Sequence, residues 1–337
     1  MELALQKTLV LLSRLLNLIK LPKYVIIVVI KGVFIMEVIN LSSRSFKGLR
    51  TLELPNTVYN TEGKIYIYED KDKWNKRMHL VKRLYINSGP IFSNKLATIN
   101  SLVDYQDDID MPELVYPEKL LTIDREIVGF TMPYVPSTNL KEILTSSKTP
   151  AEVKIKYLKD IGTILEKMEE VRKYAELEDF YLNDLHEGNF IVDEEGSLRV
   201  IDLDSCKIAG NMPFCSKYLS GLNYSLASLP GKYKKSNFRC SGDIIPNKDS
   251  DLYCYIITVL NTIFGRETQR LPLETFYDYL DYLRKIGVST ELIDIIFDIY
   301  SNKPNTNPKE LLDGLEPVFY KCHESVFKSL TKQKRCQ

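Results

Sequence analysis

Residues 181–209 read YLNDLHEGNFIVDEEGSLRVIDLDSCKIA, and this stretch decides the fold. Two short apolar runs, residues 190–192 and 198–201, flank the polar tract 193–197, whose Gly and Ser suit a tight connection. The pattern predicts a β-hairpin, around which the rest of the chain is organised. The three acidic residues of the polar tract are expected to be ordinary solvated turn residues.

Three oxygen-bearing side chains lie at the ends of this predicted hairpin. Asp184 and Asn189 precede its first strand, and Asp202 follows its second strand. Because closing a hairpin brings its two ends together, we expect these side chains to meet at one end of it. Carboxylate and amide oxygens are the hard ligands that a magnesium ion binds. Asp204 also follows the buried strand and is a further candidate metal ligand, because a carboxylate there needs a partner.

The order of these residues suits phosphoryl transfer from ATP. A hydroxyl that attacks the terminal phosphorus needs orientation and a proton acceptor, and Asp184 is the candidate general base. Magnesium bridges the phosphate oxygens and neutralises charge as the bond breaks, and Asn189 and Asp202 are its candidate ligands.

The same residues resemble the catalytic elements of the protein kinase superfamily. Asp184 to Asn189 has the D-x-x-x-x-N spacing of that family's catalytic loop, and Asp202, thirteen residues further on, stands where the aspartate of the D-F-G motif would. The resemblance covers roughly residues 55–320. It implies an α+β, two-lobed protein kinase-like fold, with a small antiparallel β-rich N-lobe and a larger helical C-lobe. It also implies ATP and Mg²⁺ as cofactors.

The chain departs from the protein kinase pattern at several positions of this stretch. Leu182 and Asn183 replace the family's His-Arg, so the arginine that pairs with an activation-loop phosphate is missing. His186 and the sequence Asp202-Leu203-Asp204 resemble the loops of aminoglycoside and choline phosphotransferases instead. His186 is therefore a candidate catalytic residue that contacts the transferred phosphate, or it braces the loop backbone.

Composition excludes some classes of function. The 337 residues include 45 basic and 45 acidic side chains, so no overall field favours nucleic acid as a partner. The six cysteines show no C-x-x-C pair, and with three histidines they form no zinc pattern. Free thiols are typical of a reducing compartment, so we predict a cytoplasmic protein.

Residues 1–50 are predicted to form an N-terminal extension. Residues 24–34, YVIIVVIKGVF, are strongly apolar, but lysines interrupt the region before it reaches the roughly 20 residues of a membrane-spanning helix. Three interpretations remain: a helix on a membrane surface, a helix that packs on the enzyme, or an upstream extension with initiation at Met36. We favour the last two over membrane association of residues 1–36.

Residues 51–135 are predicted to form the N-lobe. Alternating patterns predict strands at residues 57–59 and 64–68, joined by a turn at 61–63. The resemblance implies that this hairpin covers the phosphates of ATP. Gly63 is its only glycine, which is far short of the family's glycine-rich loop.

The next strand, residues 79–85, resembles the family's V-A-I-K strand and nominates Lys82 as the cation that grips the inner phosphates. The alternative is a solvated charge at a sheet edge. Residues 93–103 have helical apolar spacing and match the regulatory helix of the N-lobe. This helix contains no acidic residue, so the family's Lys-Glu pair lacks its second member.

Strands are also predicted at residues 117–121 and 127–132, on either side of a turn at 124–126. The second strand leads into Tyr134 and Val135, which resemble the family's hinge and would offer backbone groups to adenine. An ordinary connection between a strand and a helix has the same residues.

Residues 136–327 are predicted to form the helical C-lobe, followed by a basic tail at 328–337. An irregular tract follows Asp202 as far as residue 246, and a tract of that length commonly forms a lid or a docking surface. Asp251 matches the kinase aspartate that binds backbone amides of the catalytic loop, or it is a helix N-cap. Amphipathic or apolar patterns predict five helices, at residues 151–172, 254–264, 273–286, 290–300 and 308–315.

The expected function is transfer of the γ-phosphate of ATP to a hydroxyl, with Ser or Thr of a protein as the preferred acceptor. One alternative is a small-molecule kinase of the aminoglycoside or choline type. Another is a pseudokinase that binds nucleotide without turnover.

Overall fold

The computed structural model describes seven parts of the chain, residues 24–29, 32–52, 62–69, 78–211, 248–265, 273–300 and 308–321. These parts form a mixed α+β protein. The chain divides into two compact units. The first unit comprises Met1–Asp104 and Tyr116–Tyr134, and the second comprises Tyr105–Val115 and Val135–Gln337.

The first unit is built on a seven-stranded sheet whose order is β1-β2-β6-β7-β5-β4-β3. Only β2 and β6 pair in parallel, and the other neighbours are antiparallel. The strands are β1 (Tyr24–Val29), β2 (Gly32–Leu41), β3 (Arg50–Thr51), β4 (Gly63–Glu69), β5 (Met78–Leu84), β6 (Lys119–Ile123) and β7 (Glu126–Pro133).

The described parts of the apolar segment near the N-terminus, Tyr24–Val29 and Gly32–Leu41, form antiparallel strands, so both helical interpretations are wrong for these residues. Strand β1 pairs with β2 in a register that places Val25 opposite Met36. Strand β1 consists almost entirely of Val and Ile, whose branched side chains favour strands over helices. Strand β2 then pairs with β6, so residues that we assigned to an N-terminal extension contribute to the sheet of this unit.

The predicted strands at residues 79–85, 117–121 and 127–132 are confirmed, with ends that differ by one or two residues. Asp124 and Arg125 have φ angles of 51° and 75° at the tight turn between β6 and β7. The predicted strand at 57–59 lies outside the described residues. Gly63 is the first residue of β4 and pairs with Leu84, so its assignment to a turn is wrong.

Two helices accompany this sheet, α1 (Ser43–Lys47) and α2 (Gly89–Asp104). Ser42 caps α1, because its side chain accepts a hydrogen bond from the backbone N–H of Ser45. Helix α2 confirms the helix predicted at residues 93–103 and begins one turn earlier.

The second unit is mainly helical. Its helices are α3 (Gln106–Ile109), α4 (Leu140–Thr145), α5 (Ala151–Tyr174), α6 (Lys248–Phe264), α7 (Leu273–Lys285), α8 (Thr290–Tyr300) and α9 (Pro308–Lys321). The five predicted C-lobe helices are thereby confirmed, although α6 begins six residues before its predicted start. Every residue from 250 to 260 in α6 is buried. No helix in the described part of the chain has both the length and the apolar character needed to cross a membrane.

A three-stranded sheet, ordered β10-β9-β8, completes the second unit with β8 (Ser137–Asn139), β9 (Phe190–Asp193) and β10 (Leu198–Val200). Strands β9 and β10 form the predicted hairpin. Gly196 has a φ of 79° in its turn, which glycine adopts without strain. Glu194 and Glu195 are exposed, as expected, but Asp193 is buried and accepts a hydrogen bond from Arg199 at 2.8 Å. The interpretation of Asp193 as a solvated residue is wrong because its side chain closes the hairpin.

Candidate active site

The open end of the β9–β10 hairpin forms a small pocket. Asp184, Asn189 and Asp202 all line it, so the prediction that hairpin closure brings these side chains together is confirmed. Its empty volume is about 210 Å³, open solvent included. The remaining lining residues are mostly apolar: Leu182, Leu185, Phe190, Val200, Ile201, Leu203 and Cys206.

Asp251 of helix α6 anchors the loop that carries Asp184. The backbone N–H groups of Leu182 and Asn183 donate to its two carboxylate oxygens, each at 2.9 Å. Burial raises the pKa of Asp251 to about 6, although these two hydrogen bonds and the charge of Arg172 favour the ionised form. The predicted contact between Asp251 and the loop amides is confirmed. The N-cap interpretation is wrong, because α6 begins at Lys248 and Asp251 lies inside the helix.

Asn189 orients the candidate base. Its Nδ2 donates to the backbone oxygen of Asp184 at 2.9 Å and to Oδ2 of the same residue at 3.2 Å. With Nδ2 turned toward Asp184, Oδ1 is the atom of Asn189 that suits a cation. The side chain of Asp184 itself remains 21% exposed, so a substrate hydroxyl can approach it.

His186 braces the same loop. Its Nδ1 accepts a hydrogen bond from the backbone N–H of Gly188 at 3.0 Å, so the ring proton lies on Nε2. Nε2 faces Oδ2 of Asp184 at 3.6 Å, which is too long for a hydrogen bond but favourable electrostatically. A Cβ atom at Gly188 would lie 2.9 Å from the ring, so this packing requires glycine. Of the two interpretations of His186, bracing is observed, and contact with the transferred phosphate stays a prediction.

The chain turns sharply at Asp202. Its φ of 66° lies in the left-handed region and ends the second strand of the hairpin. Just before it, the N–H of Ile201 donates to the carbonyl of Asn189 at 2.9 Å, which fixes this turn against the loop that carries Asp184 and Asn189. Asp204 is only 1% exposed and is not among the residues that line the pocket. Its role as a metal ligand therefore stays a prediction without support from this geometry.

The other predicted site residues lie largely in the first unit. Lys82 on β5 is buried, with Nζ 5.7 Å from the ring centroid of Phe130, so it is not a solvated edge charge. The N–H of Tyr134 donates to the carbonyl of Met78 at 3.3 Å, which uses one of the backbone groups expected to serve adenine. The carbonyl of Val135 accepts a hydrogen bond from the hydroxyl of Ser137 at 2.9 Å.

Helix α2 carries an ion pair that sequence reasoning missed. The Nζ atom of buried Lys95 lies 2.5 Å from Oε2 of Glu62, the residue before β4. Residues 93–103 contain no acidic residue, and the acid of α2, Asp104, is its last residue. The helix supplies the cation of this pair instead. The sequence pattern does not predict this ion pair, because the ammonium group of a lysine among apolar residues of a helix usually reaches solvent.

Asn139 was also missed. It is the N-cap of α4, because its Oδ1 accepts a hydrogen bond from the N–H of Lys141 at 3.0 Å. Its Nδ2 donates to the carbonyl of Gly188 at 3.0 Å and so supports the loop between Asp184 and Asn189. An asparagine directly before a predicted helix indicates the capping role, but nothing in the sequence indicates the hydrogen bond from Asn139 to Gly188.

The chain matches no model of a known protein family, and no curated protein matches it either. Within the described ranges, no three His, Cys, Asp or Glu side chains are grouped as a metal site requires. The set at the pocket differs from such a group because it comprises two carboxylates and one amide, with oxygen donors that fit Mg²⁺.

Proposed function

We propose that this protein is an ATP- and Mg²⁺-dependent phosphotransferase of the two-lobed protein kinase-like fold, which transfers the γ-phosphate to a Ser or Thr hydroxyl of a protein. The observation that carries the proposal is that Asp184, Asn189 and Asp202 line one pocket at the open end of a hairpin. The two hydrogen bonds from the loop to Asp251 add support, because they fix the backbone directly before Asp184.

Asp184 is the proposed general base. It accepts the proton of the attacking hydroxyl, which requires a carboxylate oxygen within hydrogen-bond reach of that group. The amide of Asn189 and the Nε2–H of His186 both face Oδ2, so they hold the carboxylate in one orientation.

Asn189 Oδ1 and the carboxylate of Asp202 are the proposed ligands of Mg²⁺. When bound, the ion neutralises charge on the phosphate oxygens. Both side chains project from backbone that is fixed by the Ile201–Asn189 hydrogen bond, so their separation changes little.

Lys82 is the proposed cation for the inner phosphates of ATP. Lys82 is buried on β5, in the strand that resembles the family's V-A-I-K strand, and its ammonium would bind a polyphosphate when nucleotide is present. Gly63 would let the strand approach the phosphates closely, and Tyr134 and Val135 would bind adenine through their backbone groups. Cytoplasmic location is part of the proposal, because Cys206 and Cys254 are buried thiols that are not joined in a disulfide.

A small-molecule kinase is the second candidate. His186 and the Asp202-Leu203-Asp204 sequence favour it, because they resemble the loops of aminoglycoside and choline phosphotransferases. A pseudokinase is the third candidate, because residues 93–103 contain no acidic residue and Gly63 is the single glycine of the hairpin expected to cover the phosphates.

Labelled ATP tests the proposal and separates these candidates. The purified chain is incubated with [γ-³²P]ATP and Mg²⁺, and with either a dephosphorylated protein extract or a pool of small metabolites. We expect label on protein Ser or Thr, and a decrease of about 10²- to 10⁴-fold in Asp184→Asn. Asp281→Asn, an exposed acid on α7, is the control and should match wild type. Label on metabolites alone would identify a small-molecule kinase, and equal rates in wild type and Asp184→Asn would refute catalysis.

A further inference from the structure

Asn183, directly before the candidate base, has an unusual combination of backbone and burial. Its φ is 62°, in the left-handed region that non-glycine residues rarely adopt, and the residue is fully buried. Its backbone N–H is already used by Asp251. The side chain is therefore directed into the interior by a backbone that has little freedom to move.

The side-chain amide of Asn183 links two functional segments. Its Nδ2 donates to the backbone oxygen of Ser205 at 3.0 Å, across 22 residues of sequence. Ser205 ends the 3-10 turn Leu203–Ser205, which directly follows Asp202. One hydrogen bond thus joins the loop that carries Asp184 to the turn that carries Asp202.

A backbone bridge lies beside this link. The N–H of Tyr181 donates to the carbonyl of Lys207 at 3.0 Å, and the N–H of Lys207 donates back at 2.9 Å. This bridge fixes the outer ends of the two segments. The Asn183 bond is closer in sequence to the two aspartates, because Asn183 directly precedes Asp184 and Ser205 lies three residues after Asp202.

Asparagine is suited to this position for two reasons. It tolerates left-handed backbone better than most residues, and its short side chain carries an N–H donor. Glycine would supply the backbone conformation without the donor. Aspartate would supply the conformation and the shape, but its carboxylate would face the carbonyl oxygen of Ser205 and repel it.

We propose that Asn183 is a positioning residue that sets the separation of Asp184 and Asp202 by tying the catalytic loop to the Leu203–Ser205 turn. The expected effect on the Mg²⁺ requirement rests on the proposed function, whereas the hydrogen bond that holds the turn does not. Without this bond the turn opens more often, Asp202 leaves its place beside Asn189, and a higher Mg²⁺ concentration is needed.

The test compares Asn183→Gly and Asn183→Asp with wild type in the full chain. Glu176→Gly is the matched control, because Glu176 is an exposed non-glycine residue with a φ of 53°. The rate of hydrogen exchange of the amides at residues 203–206 measures how firmly the Asn183–Ser205 hydrogen bond holds the turn. The Mg²⁺ concentration that gives half-maximal phosphotransfer measures the effect of that bond on the proposed site. Both Asn183 variants should exchange these amides about 10-fold faster and require about 10-fold more Mg²⁺, since a lost buried hydrogen bond costs about 1–3 kcal/mol. The control should match wild type in both measurements.

The two measurements distinguish a failure of the proposed role of Asn183 from a failure of the proposed function. Unchanged exchange at residues 203–206 in both folded Asn183 variants would overturn the tie, whatever the activity of the protein. Faster exchange with an unchanged Mg²⁺ requirement would overturn the positioning role. A wild-type chain that transfers no phosphate would refute the proposed function, and hydrogen exchange would still decide whether Asn183 holds the turn.

Discussion

At the scale of single residues, Asp251 is a buried carboxylate that accepts hydrogen bonds from the loop before Asp184, and its burial disfavours the charged form. Burial raises its pKa from 3.8 to about 6, so the folded chain binds this proton more tightly than the unfolded chain does. The contribution of this group to stability is therefore complete below about pH 4 and is lost as the pH rises through 6. A rise of about two pKa units corresponds to about 3 kcal/mol.

We predict that this pH dependence disappears in Asp251→Asn, which keeps the shape and removes the charge. The free energy of unfolding of wild type minus that of the variant should fall by about 2–3 kcal/mol between about pH 4 and pH 7. Urea unfolding of both proteins at several pH values measures it. Other carboxylates titrate equally in both proteins and cancel. A difference that stays constant with pH would show that Asp251 is not perturbed in this way.

Some residues of the candidate site can be predicted from their spacing in the sequence, and others cannot. Asp184, Asn189 and Asp202 were predictable, because their positions relative to a hairpin fix where they meet. Asn183 and Asn139 were missed, because their roles depend on a left-handed backbone and on hydrogen bonds across 22 and 49 residues. The sequence pattern does not indicate which residues so far apart in the chain form a hydrogen bond.

At the scale of elements, helix α2 is fastened to the start of β4 by the Lys95–Glu62 ion pair. Lys95 is 4% exposed, whereas the Glu62 side chain is 41% exposed. The ammonium has little water to replace a lost carboxylate, so this pair should matter more than a surface pair. It also attaches the helix to the strand that contains Gly63.

We predict an interaction energy of about 1–2 kcal/mol for this pair in a double-mutant cycle of Lys95→Met and Glu62→Gln. Denaturant unfolding of wild type, both single variants and the double variant measures it. The exposed pair of Lys156 and Asp160 on α5 is the matched comparison, and an exposed pair of this spacing gives about 0.3–0.5 kcal/mol. Additive effects of the two substitutions at Lys95 and Glu62 would show that the helix is held by other contacts.

Helices and strands whose apolar residues repeat with a clear period could be predicted from the sequence. The helix at residues 151–172 and the hairpin at 190–201 appear almost as expected, because their apolar residues repeat at helical or alternating spacing. The segment at residues 24–34 was misread, since a short apolar run has no period that separates a strand from a helix. Its Val and Ile content was the better guide.

At the scale of the whole molecule, the chain has a β-rich unit followed by a helical unit, as the resemblance implied for each. The hairpin, the loop bonded to Asp251 and the apolar helix α6 all belong to the second unit. Lys82 and Gly63 belong to the first. The proposed Mg²⁺ ligands therefore belong to the second unit, and the proposed phosphate-binding residues belong to the first.

Magnesium-dependent nucleotide binding tests this account most directly. A non-hydrolysable ATP analogue is titrated into the full chain by calorimetry, with Mg²⁺ and then with EDTA, in wild type, Asp202→Asn and the control Asp281→Asn. We predict that Mg²⁺ tightens binding by about 10-fold or more in wild type and the control, because carboxylate and amide oxygens share the ion with the phosphates. Asp202→Asn should lose that gain. Equal affinity with and without Mg²⁺ in wild type, or an undiminished gain in Asp202→Asn, would contradict the proposed site.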